Sequence, residues 1–249
     1  MPAARPVMDW QRAEAYTPLA QCGRQGFAWE WLRRWPDYQA ACGRGHAGRA
    51  MRFGLHRFEP LAHGCPIARP IWCRQADPSV LVGAARQGRE DLFDLSPLLP
   101  LATCHRDARG REHWLFSDGW HHIRLDLVAG TLTAAPVELH YRLVGLLCAE
   151  PPLRALDRLI GMVRGGRLLA SQFPAEQRAS RWAQILRVHD ALVAGATHRQ
   201  IADVLFDLHD VRRWRITAPS WRNRVQRLTE AARRAASVDP RLWLQGRFP

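Results

Sequence analysis

The chain contains no lysine, so all 36 of its basic residues are arginines. It also lacks the 18 or more consecutive apolar residues of a membrane-spanning helix, which argues against a membrane protein and a membrane partner. The first ten residues, MPAARPVMDW, lack the apolar core of a signal peptide. The six cysteines are widely spaced in a chain that is not short. We therefore expect a cytoplasmic protein with reduced thiols.

Residues with metal-binding or catalytic chemistry are present but do not form a known motif. A zinc site usually needs ligand pairs at short fixed spacings, such as Cys-x₂-Cys with His-x₃₋₅-His, and none occurs. The segment GRGHAG also lacks the Lys-Ser/Thr of a phosphate-binding loop. We therefore expect no enzyme, no catalytic residue, no metal site and no cofactor. The metal ligands considered and set aside are Cys104, His105, His113, His121 and His122.

The positive charge is concentrated near the C-terminal end. The net charge is +13, and residues 151–249 hold 18 arginines against 8 acidic residues. Within that part, residues 212–234 hold 8 arginines and one acidic residue, Glu230. Biased codon usage could explain the choice of arginine over lysine, but it would have spread the charge more evenly. The clustering indicates a negatively charged partner for this segment, and nucleic acid is the first candidate.

Three regions with different patterns predict an α+β fold. Residues 1–50 are rich in aromatic residues, and GFAWEWLRRWPDY carries Phe27, Leu32 and neighbouring tryptophans at helical spacing. We expect this unit to be helical and to form a small core. An alternative is that its aromatic and arginine side chains dock on another protein. The candidates for such a protein-interaction surface are Trp29, Trp31, Arg33, Arg34 and Trp35.

Residues 66–150 predict a small antiparallel β-sheet. EHWLF and WHHIRLDL flank Ser117-Asp118-Gly119, which is a hairpin signal. Ile123, Leu125 and Leu127 alternate with polar residues, so one face of the second strand is apolar. Further strands are expected in SVLVGAA, GTLTA and PVELHYRLV.

Residues 151–249 predict a helical DNA-binding domain of the helix-turn-helix type. A helix over 178–195 ends at Gly195, Thr197 caps a short helix that follows, and a long basic helix spans residues 218–236. The connector before the basic helix is longer than the three or four residues of a simple helix-turn-helix.

The basic helix has one apolar and one polar face at about 100° per residue. Trp221, Val225 and Leu228 should pack on the two preceding helices. Arginine pairs with guanine, and asparagine or glutamine with adenine, in a major groove that admits one helix, whereas flanking arginines contact phosphates. RNA or an acidic protein could also bind such a face. The predicted DNA-binding residues are Arg199, Gln200, Arg212, Arg213, Arg215, Ser220, Arg222, Asn223, Arg224, Gln226, Arg227 and Arg234.

The chain resembles a proteobacterial family formerly of unknown function. RWAQILRVHDALVAGATHRQIADVLF, followed by RWRITAPSWRNRVQRL, is similar to the C-terminal DNA-binding domain of that family. GFAWEWLRRWPDY resembles its small N-terminal domain, and SDGWHHIRLDL and GTLTAAPVELHYRL resemble its middle region. Members commonly end in a Gly-Tyr-Arg-Asp-Leu-Leu-like stretch, which this chain replaces with SVDPRLWLQGRFP.

The resemblance implies a transcriptional activator of excision and transfer genes on an integrative and conjugative element. Characterised members have this role and are restrained by small antiactivator proteins. The implied partners are double-stranded DNA, RNA polymerase, an antiactivator and a second copy of the chain. Two other functions are considered: an architectural or excision factor that bends DNA for a recombinase, and an antiactivator-like inhibitor that holds a related activator.

Overall fold

The computed structural model describes residues 8–43, 47–207 and 219–247, and it confirms the α+β class. No helix in these three ranges is long and apolar enough to cross a membrane. The helices are α1 (Arg24–Leu32), α2 (Pro36–Cys42), α3 (Glu150–Gly165), α4 (Ala179–Val193), α5 (His198–Phe206), α6 (Pro219–Ser237) and α7 (Arg241–Leu244). The strands are β1 (Leu81–Arg86), β2 (Ala102–Arg106), β3 (Glu112–Ser117), β4 (His122–Ala129) and β5 (Glu138–Tyr141).

The five strands form one sheet in the order β2-β3-β4-β1-β5. β1 pairs with β4 in parallel, and the other three pairings are antiparallel. The sheet is therefore mixed, which corrects the prediction of an antiparallel sheet. Parallel pairing requires a long crossover connection, and such a connection leaves no local signal in either strand.

The strand predictions succeed where a turn or an alternating pattern marks the strand. The hairpin of β3 and β4 is confirmed, with Phe116 opposite Ile123. β5 lies within its predicted segment and β1 overlaps its own up to one residue past the end, whereas GTLTA forms no strand. β2 was not predicted, because its sequence ATCHR is short and contains no large apolar side chain and only one β-branched residue.

Two hydrophobic cores hold the described residues together. The sheet core joins one face of the sheet to α3, through side chains such as Leu125, Leu159 and Met162. The helical core joins α1 and α2 to α4, α5, α6 and α7. Trp243 of α7 lies in this second core, 4.9 Å in ring-centroid distance from Trp182 of α4. The cores thus group the first region with the C-terminal helices and group α3 with the sheet, unlike the three predicted regions.

The polar face of the sheet is buried against the residues that precede β1. We call residues 8–43 and 47–77 the N-terminal unit. Arg124 of β4 is 2% exposed and donates from Nε and Nη2 to the carbonyl oxygen of Trp72, at 3.0 and 2.8 Å. All six residues of β3 are buried. The middle of the sheet is therefore covered on both faces.

Candidate nucleic-acid interface

Helix α6 has one buried and one exposed face, as its sequence predicts. Val225, Leu228 and Ala232 lie in the helical core. α6 packs on α4 and α5, so the polar residues must lie on the opposite side. Within the described part of the chain, no carboxylate forms an ion pair with any arginine of that exposed face. The exposed candidates on α6 are Ser220, Arg222, Asn223, Arg224, Gln226, Arg227 and Arg234.

The turn between α4 and α5 has a defined geometry. Gly195 ends α4 with a φ of +79°, a left-handed conformation that favours glycine. Thr197 then caps α5: its Oγ1 accepts from the backbone N–H of Gln200 at 3.3 Å. The Gln200 Oε1 accepts in return from the Thr197 N–H at 2.8 Å, completing a capping box. Gln200 therefore stabilises the start of α5. This capping role was not part of the prediction, which gave Gln200 only a DNA contact.

An aromatic pair holds one arginine of the exposed face. Phe206 at the end of α5 lies against Trp221 of α6, with ring centroids 4.6 Å apart. The guanidinium carbon of Arg224 lies 4.7 Å from the Phe206 ring centroid and 5.5 Å from that of Trp221. A cation over an aromatic face is attracted by the ring quadrupole. The packing of α5 on α6 thus restricts where Arg224 can place its charge.

A cleft between α4 and α6 adds two residues that the sequence analysis missed. Arg181 and Gln184 of α4 line this cleft together with Arg224, Arg227 and Leu228 of α6. Its volume is about 400 Å³. Three guanidinium groups and one amide around a concave surface suit a phosphate group, which accepts hydrogen bonds from all of them. Arg181 and Gln184 are three residues apart, so helical periodicity predicts that they share one side of α4. It does not predict that this side lies next to α6.

The remaining predicted DNA-binding residues divide into two groups. Arg199 is exposed on α5, and its Nε lies 3.9 Å from a carboxylate oxygen of Asp203 one turn away. Arg212, Arg213 and Arg215 lie outside the described residues. The candidate residues that the structure describes therefore lie on α4, α5 and α6.

Four of the five predicted protein-interaction residues are buried within the chain. Trp29, Trp31, Arg33 and Arg34 are at most 9% exposed, and only Trp35 is half-buried. The indole N–H of Trp29 donates to the carbonyl oxygen of His63, also in the N-terminal unit, at 2.8 Å. A docking surface needs exposed side chains, so their placement supports a core role instead.

Arg34 connects the N-terminal unit to α4 of the C-terminal helices. Its Nε and Nη2 each donate to Asp190 of α4 at 2.7 Å, and its Nη1 donates to the Glu30 carboxylate at 2.5 Å. The Tyr16 hydroxyl also donates to Asp190, at 2.6 Å. Burial and the nearby Asp190 raise the pKa of Tyr16 well above its usual range, so the hydroxyl keeps its proton. All four groups are therefore paired.

Two family models match the chain. Residues 9–55 match the proteobacterial transcriptional regulator-like domain, and residues 149–239 match the family described as T6SS, transcription factor, DNA binding domain. The second match contains α3, α4, α5 and α6, whereas the sheet lies between the two matches. No curated protein and no solved structure is significantly similar to the chain.

The matches support a DNA-binding transcription regulator, with DNA as a partner. Both descriptions are of regulatory or DNA-binding domains, which are generally not enzymes. The DNA-binding match contains every α6 residue of the exposed face. The helix with the exposed basic face therefore lies within the region that matches the DNA-binding model.

Proposed function

We propose that the chain is a transcriptional activator that reads DNA with α6 in a helix-turn-helix arrangement, and that it controls excision and transfer genes of a mobile genetic element. The observation that carries the proposal is the exposed face of α6, where arginine, asparagine and glutamine side chains stand opposite the face buried on α4 and α5. The cytoplasm is its location. The resemblance of nearly the whole chain to activators of integrative and conjugative elements supports the choice of genes.

The residues of the interface divide by what they contact. Asn223, Gln226 and Arg227, in the middle of the exposed face, contact base edges in the major groove. Flanking arginines on α6, together with Arg181 of α4, contact phosphates and fix the register. The phosphate contacts on α6 are Arg222, Arg224 and Arg234, with Arg199 on α5 and with Arg212, Arg213 and Arg215 in the connector.

The test is binding of the purified chain to DNA fragments that tile its own gene neighbourhood, over a salt series. We expect one fragment to stay bound at raised salt. Arg227→Ala should weaken that binding by about 1–3 kcal/mol and relax the base preference. Arg234→Ala should weaken all fragments alike and lower the salt slope by about one. The matched control is Arg154→Ala, an exposed arginine of α3 that pairs with Glu150.

Other results would support other functions. If Arg227→Ala and Arg234→Ala reduce discrimination equally, the assignment of base and phosphate contacts is wrong. Uniform binding that all fragments lose together with salt, and measurable bending of attachment-site DNA, would support an architectural factor. Strong binding to a related activator with little DNA affinity would support an inhibitor. A reporter gene placed behind the bound fragment tests activation, since an activator raises its transcription.

A second set of target genes follows from the family that residues 149–239 match, because that family is described as a T6SS transcription factor. Promoters of secretion-system genes therefore belong among the tested fragments. Preferential binding to one of them would change the target genes while leaving α6 as the reading helix.

A further inference from the structure

A row of metal-ligating side chains crosses three strands on the sheet face that the N-terminal unit covers. His105 of β2 lies opposite His113 of β3, and His113 lies opposite Asp126 of β4. Residues directly opposite on neighbouring strands lie on the same face of a sheet. Two imidazoles and a carboxylate are therefore side by side, although the residues come from separate strands.

The N-terminal unit adds a fourth side chain to this row. His56 follows Leu55, which forms an isolated bridge with Trp72. Its ring stacks on that of His113, with centroids 3.5 Å apart and an interplanar angle of 20°. Its Nε2 lies 3.6 Å from Oδ2 of Asp126. The cluster thus lies where the N-terminal unit meets the sheet.

Two buried nitrogens of this cluster have no hydrogen-bond partner among the described residues. They are Nε2 of His56 and Nε2 of His113. A buried polar atom without a partner costs about 1–3 kcal/mol, so each needs a physical explanation. For His56 Nε2, a bound ion that accepts the nitrogen lone pair is one such explanation.

The partners of the two His113 nitrogens make this explanation specific. Nδ1 lies 2.9 Å from Oδ1 of Asp126, so it is the His113 nitrogen that can share an ion with that carboxylate. If Nδ1 gives its lone pair to an ion, Nε2 carries the proton and faces Oδ2 of Asp107, 3.5 Å away. A carboxylate on the far nitrogen is the usual support of a histidine that binds a metal.

We propose that His56, His113 and Asp126 bind one Zn²⁺ ion at the joint between the N-terminal unit and the sheet. Each residue offers one ligand atom, and these three atoms lie within 4.8 Å of one another. Bonds of about 2.0–2.2 Å to a tetrahedral ion place ligand atoms about 3.3–3.5 Å apart, so the set closes slightly on binding. Binding also requires the two imidazoles to turn apart, because stacked rings cannot aim both lone pairs at one point.

The donor set selects the metal. Two imidazole nitrogens and one carboxylate suit Zn²⁺, whereas Mg²⁺ and Ca²⁺ prefer oxygen ligands. Arg124 Nη2 donates to Oδ1 of Asp126 at 2.8 Å, so Oδ2 is the oxygen left for the ion. Three protein ligands leave a fourth position for water or for His105, whose ring centroid lies 6.2 Å from that of His113. The ion would join the N-terminal unit to the sheet.

The test uses the full chain, stripped of metal with a chelator and titrated with Zn²⁺ by calorimetry. We expect one ion per chain and a higher unfolding temperature in Zn²⁺, because binding only the folded state stabilises it. Co²⁺ in place of Zn²⁺ should give the visible absorption of a tetrahedral site with nitrogen and oxygen ligands. His56→Gln and His113→Gln should each weaken binding at least tenfold. The matched control is His140→Gln on β5, an exposed histidine outside the cluster.

Three outcomes would overturn the proposal. The first is a wild-type chain that binds no Zn²⁺ or Co²⁺ at micromolar concentration, which needs no variant to fold. The second is binding that His56→Gln and His113→Gln leave unchanged. The third is loss of binding in Cys104→Ser together with the charge-transfer absorption of a Co²⁺–thiolate bond, because Cys104 is exposed next to His105. Retained binding in Cys104→Ser supports the nitrogen and oxygen site.

Discussion

The arginines at the end of α1 and those on α6 have the same side chain in opposite environments. Arg33 and Arg34 are buried, and both contact the carboxylate of Glu30, which is itself 1% exposed. Residues 221–234 instead hold five arginines and one acidic residue, and the arginines of the exposed face have no ion pair in the described ranges. The position of acidic partners, rather than the number of arginines, therefore separates a structural charge from one available to a polyanion.

The difference follows from the cost of removing a charge from water. A guanidinium in the core is tolerated only if its donors are satisfied and its charge is balanced. Arg34 meets this condition through Glu30 and Asp190, and in doing so it joins α1 to α4. On α6 the arginines stay hydrated, so they remain free to replace water with phosphate or base oxygens. Three predictions test this comparison.

The largest effect is expected at the buried pair. Arg34→Ala leaves Asp190 with an uncompensated buried charge and removes one of the two arginines that pair with Glu30, and we expect the free energy of unfolding to fall by about 3–5 kcal/mol. Urea unfolding followed by circular dichroism measures it. Arg227→Ala is the matched control on α6, and its free energy of unfolding should change by less than about 0.5 kcal/mol. Similar losses in both variants would show that the two groups of arginines do not differ as described.

A smaller and more gradual effect is expected in acid. Burial is the largest single influence on the pKa of Glu30 and raises it. Arg34 and Arg33 lower the pKa and together outweigh burial, so the pKa lies below the ordinary 4.5. A carboxyl whose folded pKa is depressed contributes stability above its unfolded pKa and loses it as the pH falls. Between roughly pH 5 and pH 3 the wild type should therefore lose more unfolding free energy than Glu30→Gln. Parallel pH curves for the two proteins would show that Glu30 contributes nothing to acid unfolding.

The exposed arginines of α6 and the helices that carry them could be predicted from local sequence patterns. The limits of α4, α5 and α6 agree with the predicted ones because local signals set them: Gly195 has a positive φ, Thr197 forms a capping box, and apolar residues recur at helical spacing. The exposed face of α6 follows from the same periodicity. Such signals act within a few residues and need no knowledge of the rest of the chain.

The buried ion pairs of Arg34 could not be predicted in this way, because they depend on residues that are distant in the chain. Asp190 neutralises Arg34 across two helices, and no spacing in the sequence links them. For the same reason the sequence did not predict the parallel pairing of β1 with β4, the approach of His56 to His113, or the place of Arg181 beside α6. Tertiary packing determines each of these contacts.

The smallest effect should distinguish the contribution of the Arg224 charge from the contribution of the aromatic ring that positions it. Arg224→Ala removes a proposed phosphate contact, so the slope of DNA affinity against salt should fall by about one. Phe206→Leu keeps the charge but removes the aromatic face beneath it, an interaction worth about 0.5–1 kcal/mol at an exposed site. DNA affinity should then fall about two- to fivefold with the salt slope unchanged. Fluorescence anisotropy of a labelled fragment over a salt series measures both quantities.

The results for Phe206→Leu and Arg224→Ala must be compared with each other. Phe206 also packs against the helical core, so the unfolding midpoint of Phe206→Leu must first be compared with that of the wild type. If the fold is intact and the salt slope falls as it does in Arg224→Ala, then the aromatic pair is needed for the phosphate contact itself. If neither variant changes DNA binding, Arg224 is not at the interface, and the Phe206–Trp221–Arg224 contact only stabilises the packing of α5 on α6. An unchanged slope with weaker binding is the result expected if α5 positions a charge that α6 supplies.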